Sequence, residues 1–114
     1  MSWGDVDLAY RTLKDYYPTY IKKKNEQNIF VEGIYVDNEL GRKFKEKGNI
    51  EKRKLRLLPS DQFPMTNEIN IYDDKIFIIS HKDLTGVIIQ NKEIVETQRS
   101  IFKLGWAACQ QYNK

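Results

Sequence analysis

The sequence predicts an α/β (α+β) fold: a mixed, roughly five-stranded sheet flanked by N- and C-terminal helices. Three observations carry this reading. Residues 28–58 hold a strand, a short helix and a second strand, the spacing of a βαβ unit with parallel pairing and a right-handed crossover. Residues 67–90 hold three short strands at tight-turn spacing, an antiparallel meander. Apolar residues recur at three- and four-residue steps at both ends of the chain, the period of amphipathic helices. The order is α-β-α-β-β-β-β-α, and 114 residues suit a single domain, 1–114.

Taking the elements in order, 5–27 reads as helix, with Val6, Ala9, Leu13, Tyr16, Tyr17, Tyr20 and Ile21 on one stripe. Pro18 lacks a backbone donor and disfavours helical geometry at Tyr17, so a break is expected there, with Pro18 opening a second helical piece. Lys22, Lys23 and Lys24 fall in its last turns, where cations oppose the helix dipole. Residues 28–36 are rich in β-branched and aromatic side chains, as strands are. Asp37 or Asn38 caps a short helix through Lys47, which Gly48 and Asn49 end. Strand 54–58 closes at Pro59. Segment 60–66 is a loop whose Phe63 and Met65 tuck against the body.

Strand 67–72 alternates polar and apolar residues, and Asp73 and Asp74 form a two-residue turn. Strand 75–80 is nearly all apolar and therefore central. Residues 81–84 turn the chain into strand 85–90. Asn91 caps the last helix, with Glu93 in its first turn. Its stripe is Ile94, Gln98, Ile101, Phe102, Gly105, Trp106 and Cys109. Gly105 costs about 1 kcal/mol relative to Ala in a helix, so a close backbone contact is expected there, beside Trp106.

Composition excludes several classes. Aromatics at 12% are too many for a disordered tail. The longest uncharged apolar run, 76–80, falls far short of the roughly 20 residues that span a bilayer, so no membrane partner is expected. No secretory leader is visible. One cysteine, Cys109, allows no internal disulfide and suits the cytoplasm. One histidine, His81, and one cysteine do not supply the three or four ligands of a common transition-metal site, so neither metal nor cofactor is expected. No nucleotide-binding, nucleophile-elbow or zinc-protease motif occurs.

Charge is uneven. Residues 1–57 hold 13 Lys and Arg against 9 Asp and Glu, and residues 58–114 hold 6 against 7. The densest window, 42–56, has eight cations against Glu46 and Glu51. Its Arg42, Lys43, Lys45, Lys52, Arg53, Lys54 and Arg56 make up a candidate nucleic-acid patch, the alternative reading of function.

The letters His81-Lys82-Asp83 spell HKD, but adjacent strand residues point to opposite faces, and these three read as a turn. Segment 73–80, Asp-Asp-Lys-Ile-Phe-Ile-Ile-Ser, instead resembles the end of the phospholipase D motif H-x-K-x-x-x-x-D. Counting back seven from Asp73 puts Thr66 at the histidine position and Glu68 at the lysine position. Threonine has no nucleophilic imidazole, and glutamate repels a phosphate, so this pattern keeps a fold and loses catalysis.

Segments 16–24, 53–80 and 85–108 resemble the C-terminal part of TrmB-type transcriptional regulators. The residues that carry the likeness are Pro59, the Glu68–Ile71 stretch, the Gly86–Ile89 stretch, and Ile101, Phe102 and Trp106. The resemblance implies a phospholipase D-like half-domain that acts as a non-catalytic regulatory, effector-sensing and dimerisation domain. It implies a homodimer, a small-molecule effector of the sugar class, and DNA contact only through a winged-helix domain, for which residues 1–27 have no room. Glu68, Asn70 and Tyr72 share one strand face and, with Thr66, are the candidate ligand-binding residues. Glu68 has two readings: it lines an effector pocket, or it forms an ion pair with Arg53 or Arg56 on a neighbouring strand.

Overall fold

A computed structural model of the chain describes residues 1–12, 30–48 and 53–113. The expected helix beyond Thr12, with its break at Pro18 and its lysine-rich end, lies outside the described residues. So do Lys52 and the first two residues of the expected strand 28–36.

The elements are β1 (Ser2–Gly4), α1 (Val6–Thr12), β2 (Val31–Val36), α2 (Glu39–Glu46), β3 (Arg53–Leu58), β4 (Asn67–Tyr72), β5 (Lys75–Ser80), β6 (Thr85–Gln90) and α3 (Lys92–Ala108). A 3-10 turn, Cys109–Tyr112, follows. The strands form one six-stranded sheet in the order β3-β2-β1-β4-β5-β6. β1, β2 and β3 run parallel, β4, β5 and β6 form the expected antiparallel meander, and β1 joins the halves by pairing antiparallel with β4. The mixed sheet and the βαβ unit agree with the sequence reading; the strand count does not. β1 is a sixth strand, three residues long, too short to show a period-two pattern. Its partners hold it: Ser2 lies beside Gly33 and Asn70, and the Ile71 N–H donates to the Met1 carbonyl at 2.8 Å.

Capping fixes both helices that follow the parallel strands. Asp5 Oδ1 accepts from the backbone N–H groups of Asp7 and Leu8, at 2.9 and 3.4 Å. Asn38, rather than Asp37, caps α2, accepting from the Gly41 N–H at 2.8 Å. The Asn38 amide also donates to Asp5 at 2.8 Å, tying the two caps together. Asp37 pairs instead with Arg42.

Helices cover both faces. Val6 of α1 and Phe44 of α2 pack with Tyr35, Leu55 and Leu57 on one face. On the other, Val95, Phe102 and Cys109 meet Ile34, Leu58, Ile71 and Ile76. The inward stripe of α3 keeps the expected Gln98, Phe102, Gly105, Trp106 and Cys109, but Val95 is buried while Ile94 and Ile101 face outward. Trp3 stands edge-on to Phe102, with centroids 5.3 Å apart, and a Cβ on Gly105 would come within 2.7 Å of the Trp3 ring. The close approach expected at Gly105 exists, and it comes from Trp3. Met65 packs against this core, while Phe63 is exposed and meets the Tyr112 ring edge-on, at 5.9 Å. Among the described residues no helix is long and apolar enough to cross a membrane.

Candidate functional site

The pleat decides which side chains meet. Ser2 pairs with Asn70 across β1 and β4, so Glu68, Asn70 and Tyr72 share a face with Ser2. Tyr35 of β2 lies on that face too, its hydroxyl 2.7 Å from Ser2 Oγ in a buried hydrogen bond. Gly33 makes room: a Cβ there would collide with the Tyr35 ring and crowd Ser2 Oγ at 3.0 Å. On β5, Ile79 stands opposite Glu68, and His81, two residues on, is the diagonal neighbour on the same face.

The consequence is a buried pair. His81 Nε2 lies 3.2 Å from Glu68 Oε2, with the two side chains 4% and 16% exposed. Neither imidazole nitrogen has a hydrogen-bond partner among the described residues. Leaving such a group unsatisfied costs about 1–3 kcal/mol. Glu68 passes over Gly4, whose missing Cβ would lie 3.5 Å from Glu68 Cγ. Gly4 is the last residue of β1, so the pair sits at the carboxyl end of the parallel strands. Its Glu68 stands on β4 beside β1, where the strand order reverses direction, and its His81 follows β5 on the other side of β4.

Not all of the candidate ligand residues meet there. Glu68 belongs to the pair, and Thr66, just before β4, lies one step beyond the Asn67–Ser80 pairing and so next to His81 in register. Asn70 is half-buried, next to Ser2 in register. Tyr72, at the far end of β4, is exposed beside the Asp73 turn.

The ion pair expected between Glu68 and Arg53 or Arg56 does not form. Both arginines lie on β3, which β2 and β1 separate from β4. Arg53 is buried with its guanidinium 4.6 Å from the Phe44 ring centre. Arg56, on the opposite face, lies 4.3 Å over the Trp106 ring and donates to the Trp106 carbonyl.

The other basic residues are dispersed as well. Arg42 bonds Asp37 at 2.7 Å, and that contact raises its pKa further. Lys43 lies 3.4 Å from Glu39, and the Lys45 ammonium donates to Asn113 at 2.8 Å. Lys54 shares the face of Arg56, so the described cations of the window 42–56 do not lie on one surface.

Sequence reasoning assigned His81 to a turn and missed its part in the pair. The available signal was parity: Lys75, Phe77 and Ile79 face the Glu68 side, and His81 continues the series one step past the strand. Ser2 and Tyr35 gave no signal, because β1 was not foreseen. Among the described residues no three His, Cys, Asp or Glu side chains converge as a metal-ligand set. Compared with family models, with curated proteins and with solved structures, the chain finds no match in any of the three.

Proposed function

We propose that this chain is a non-catalytic regulatory domain of the kind TrmB-like regulators carry, one that senses a small neutral polar effector and pairs with a second copy of itself. The observation that supports this reading is the buried His81 imidazole, with Nε2 3.2 Å from Glu68 Oε2 and neither nitrogen in a hydrogen bond among the described residues. A hydroxyl-bearing ligand supplies both a donor and an acceptor, and so recovers the cost of the unsatisfied ring. Glu68 disfavours a phosphate or carboxylate there, which leaves the neutral sugar class that the resemblance implies. Thr66 and Glu68 at the phospholipase D positions lack the nucleophile and the cation that phosphodiester cleavage needs. DNA contact, on this reading, belongs to a separate winged-helix domain, and the lone cysteine suits the cytoplasm.

Thermal unfolding with maltose and with glucose tests the reading. A ligand that binds only the folded state raises the melting temperature, by an amount that grows with concentration above its Kd. One of the two sugars should raise it, and His81→Ala should abolish the rise. Glu68→Ala with unchanged stability and a lost rise supports a pocket; lost stability with the rise retained makes Glu68 a structural partner only. No rise from either sugar, or hydrolysis of a phosphodiester by the purified chain, overturns the reading.

A further inference from the structure

We infer that the free edge of β6 is the interface between two copies of this chain, so that a two-fold axis joins their sheets into one. The inference rests on the pairing proposed above and specifies its surface.

β6 is the last strand in the order, with β5 on one side only. Every second residue of such a strand aims its N–H and C=O away from the sheet, and only another strand matches that row in full. Proteins usually blunt such edges with charge, proline or a covering segment. β6, Thr-Gly-Val-Ile-Ile-Gln, has no charge and no proline. Among the described residues no side chain hydrogen-bonds to its main chain. Val87 and Ile88, on opposite faces, are 52% and 65% exposed. The strand therefore presents an unpaired main chain with apolar side chains above and below it.

A second copy fits this edge on both counts. Antiparallel self-pairing sets one apolar side chain, Val87 or Ile88, against its equivalent at the axis and keeps the other beside the seam on the opposite face. Lys82 and Asp83 precede the strand and Lys92 and Glu93 follow it, so each end carries one charge of each sign and end-to-start approach gathers no net charge. The opposite edge, β3, carries Arg53, Lys54 and Arg56 and is closed by Asn113, which bonds both the N–H and the C=O of Leu57 at 2.9 Å. With one edge open and one closed, association stops at a symmetric pair instead of running on as a filament.

Sedimentation equilibrium of the full chain, wild type against Val87→Lys and Leu104→Lys, tests this. Val87→Lys sets like charges at the seam; Leu104→Lys alters an exposed apolar residue of α3. The expected result is a wild-type dimer, a Val87→Lys monomer with an unchanged circular dichroism spectrum, and a Leu104→Lys dimer. A Val87→Lys chain that remains dimeric overturns the edge inference and leaves the proposed pairing standing, whatever Leu104→Lys does. A monomeric wild type at all concentrations overturns both. Should Val87→Lys fail to fold, hydrogen exchange of the wild type decides: protection of the β6 amides that rises with protein concentration supports the edge, and protection independent of concentration overturns it.

Discussion

The two edges of this sheet are finished in opposite ways. At β3 the chain returns after α3, and the 3-10 turn Cys109–Tyr112 sets Asn113 against the strand. The amide of Asn113 acts as one residue of an extra strand: its Oδ1 accepts from the Leu57 N–H, and its Nδ2 donates to the Leu57 C=O. Two further bonds hold that amide, from Lys45 at 2.8 Å and to the Cys109 carbonyl at 2.7 Å. At β6 nothing equivalent occurs among the described residues, although its composition is the more strand-like of the two. The contrast teaches that intrinsic preference does not decide whether an edge is open. What decides it is whether a later segment returns to cover the main chain.

The largest effect that bears on this comparison is in side-chain burial. Leu57 is buried under α1 and α2, whereas Val87 is half exposed at the rim. Leu57→Ala should cost about 2–5 kcal/mol by urea unfolding, the usual range for a buried leucine. Val87→Ala should change stability by no more than about 0.5 kcal/mol when measured on the monomer. Equal losses at the two sites would mean that β6 is held as firmly as β3, and the comparison would fail.

A smaller effect isolates the cover itself. Asn113→Ala removes both bonds to Leu57 and should cost about 1–2 kcal/mol. Cys109 reports on the same turn. Its thiol is buried, which pushes its pKa above the ordinary thiol value, while Arg56 opposes part of that rise. Because the unfolded thiol ionises at lower pH than the folded one, the thiol's contribution to stability is present below the ordinary thiol pKa and declines as pH rises through it. Labelling by a disulfide reagent, which attacks through the thiolate, should therefore be slow in the folded wild type at pH 8. It should accelerate in Asn113→Ala as the turn opens locally. Equal labelling rates would show that Asn113 does not hold the turn closed.

The elements that sequence made legible are those with a long enough period or a strong cap. The meander, the βαβ unit and the Asn91 cap of α3 are all where pattern and turn chemistry place them. β1 was illegible because three residues cannot express a period, and its pairing is decided by β2 and β4, which are distant in sequence. That one omission carried through the rest. Without β1, β3 seemed able to neighbour β4, which suggested an arginine for Glu68, and Trp3 had no place beside Phe102 and Gly105. At the site, Glu68 and its face followed from alternation. His81 did not, because turn signals after Ser80 concealed that it keeps the parity of β5.

The smallest effect concerns the turn that feeds the open edge. Leu84 adopts φ 52°, in the left-handed region, and its side chain is 78% exposed, so no packing compensates the strain. A bulky residue there costs on the order of 1 kcal/mol. Asp73, at φ 56° in the preceding turn, shows the ordinary solution, since Asp and Asn tolerate that region. Leu84→Asn should therefore stabilise the chain by about 0.5–1 kcal/mol in urea unfolding. Leu84→Gly should gain less, because glycine also adds freedom to the unfolded chain. If Leu84 is retained because it borders the β6 interface, both variants should be more stable as monomers and weaker as dimers. A gain in stability with dimerisation unchanged would confine the interface to the strand and leave the strained leucine outside it.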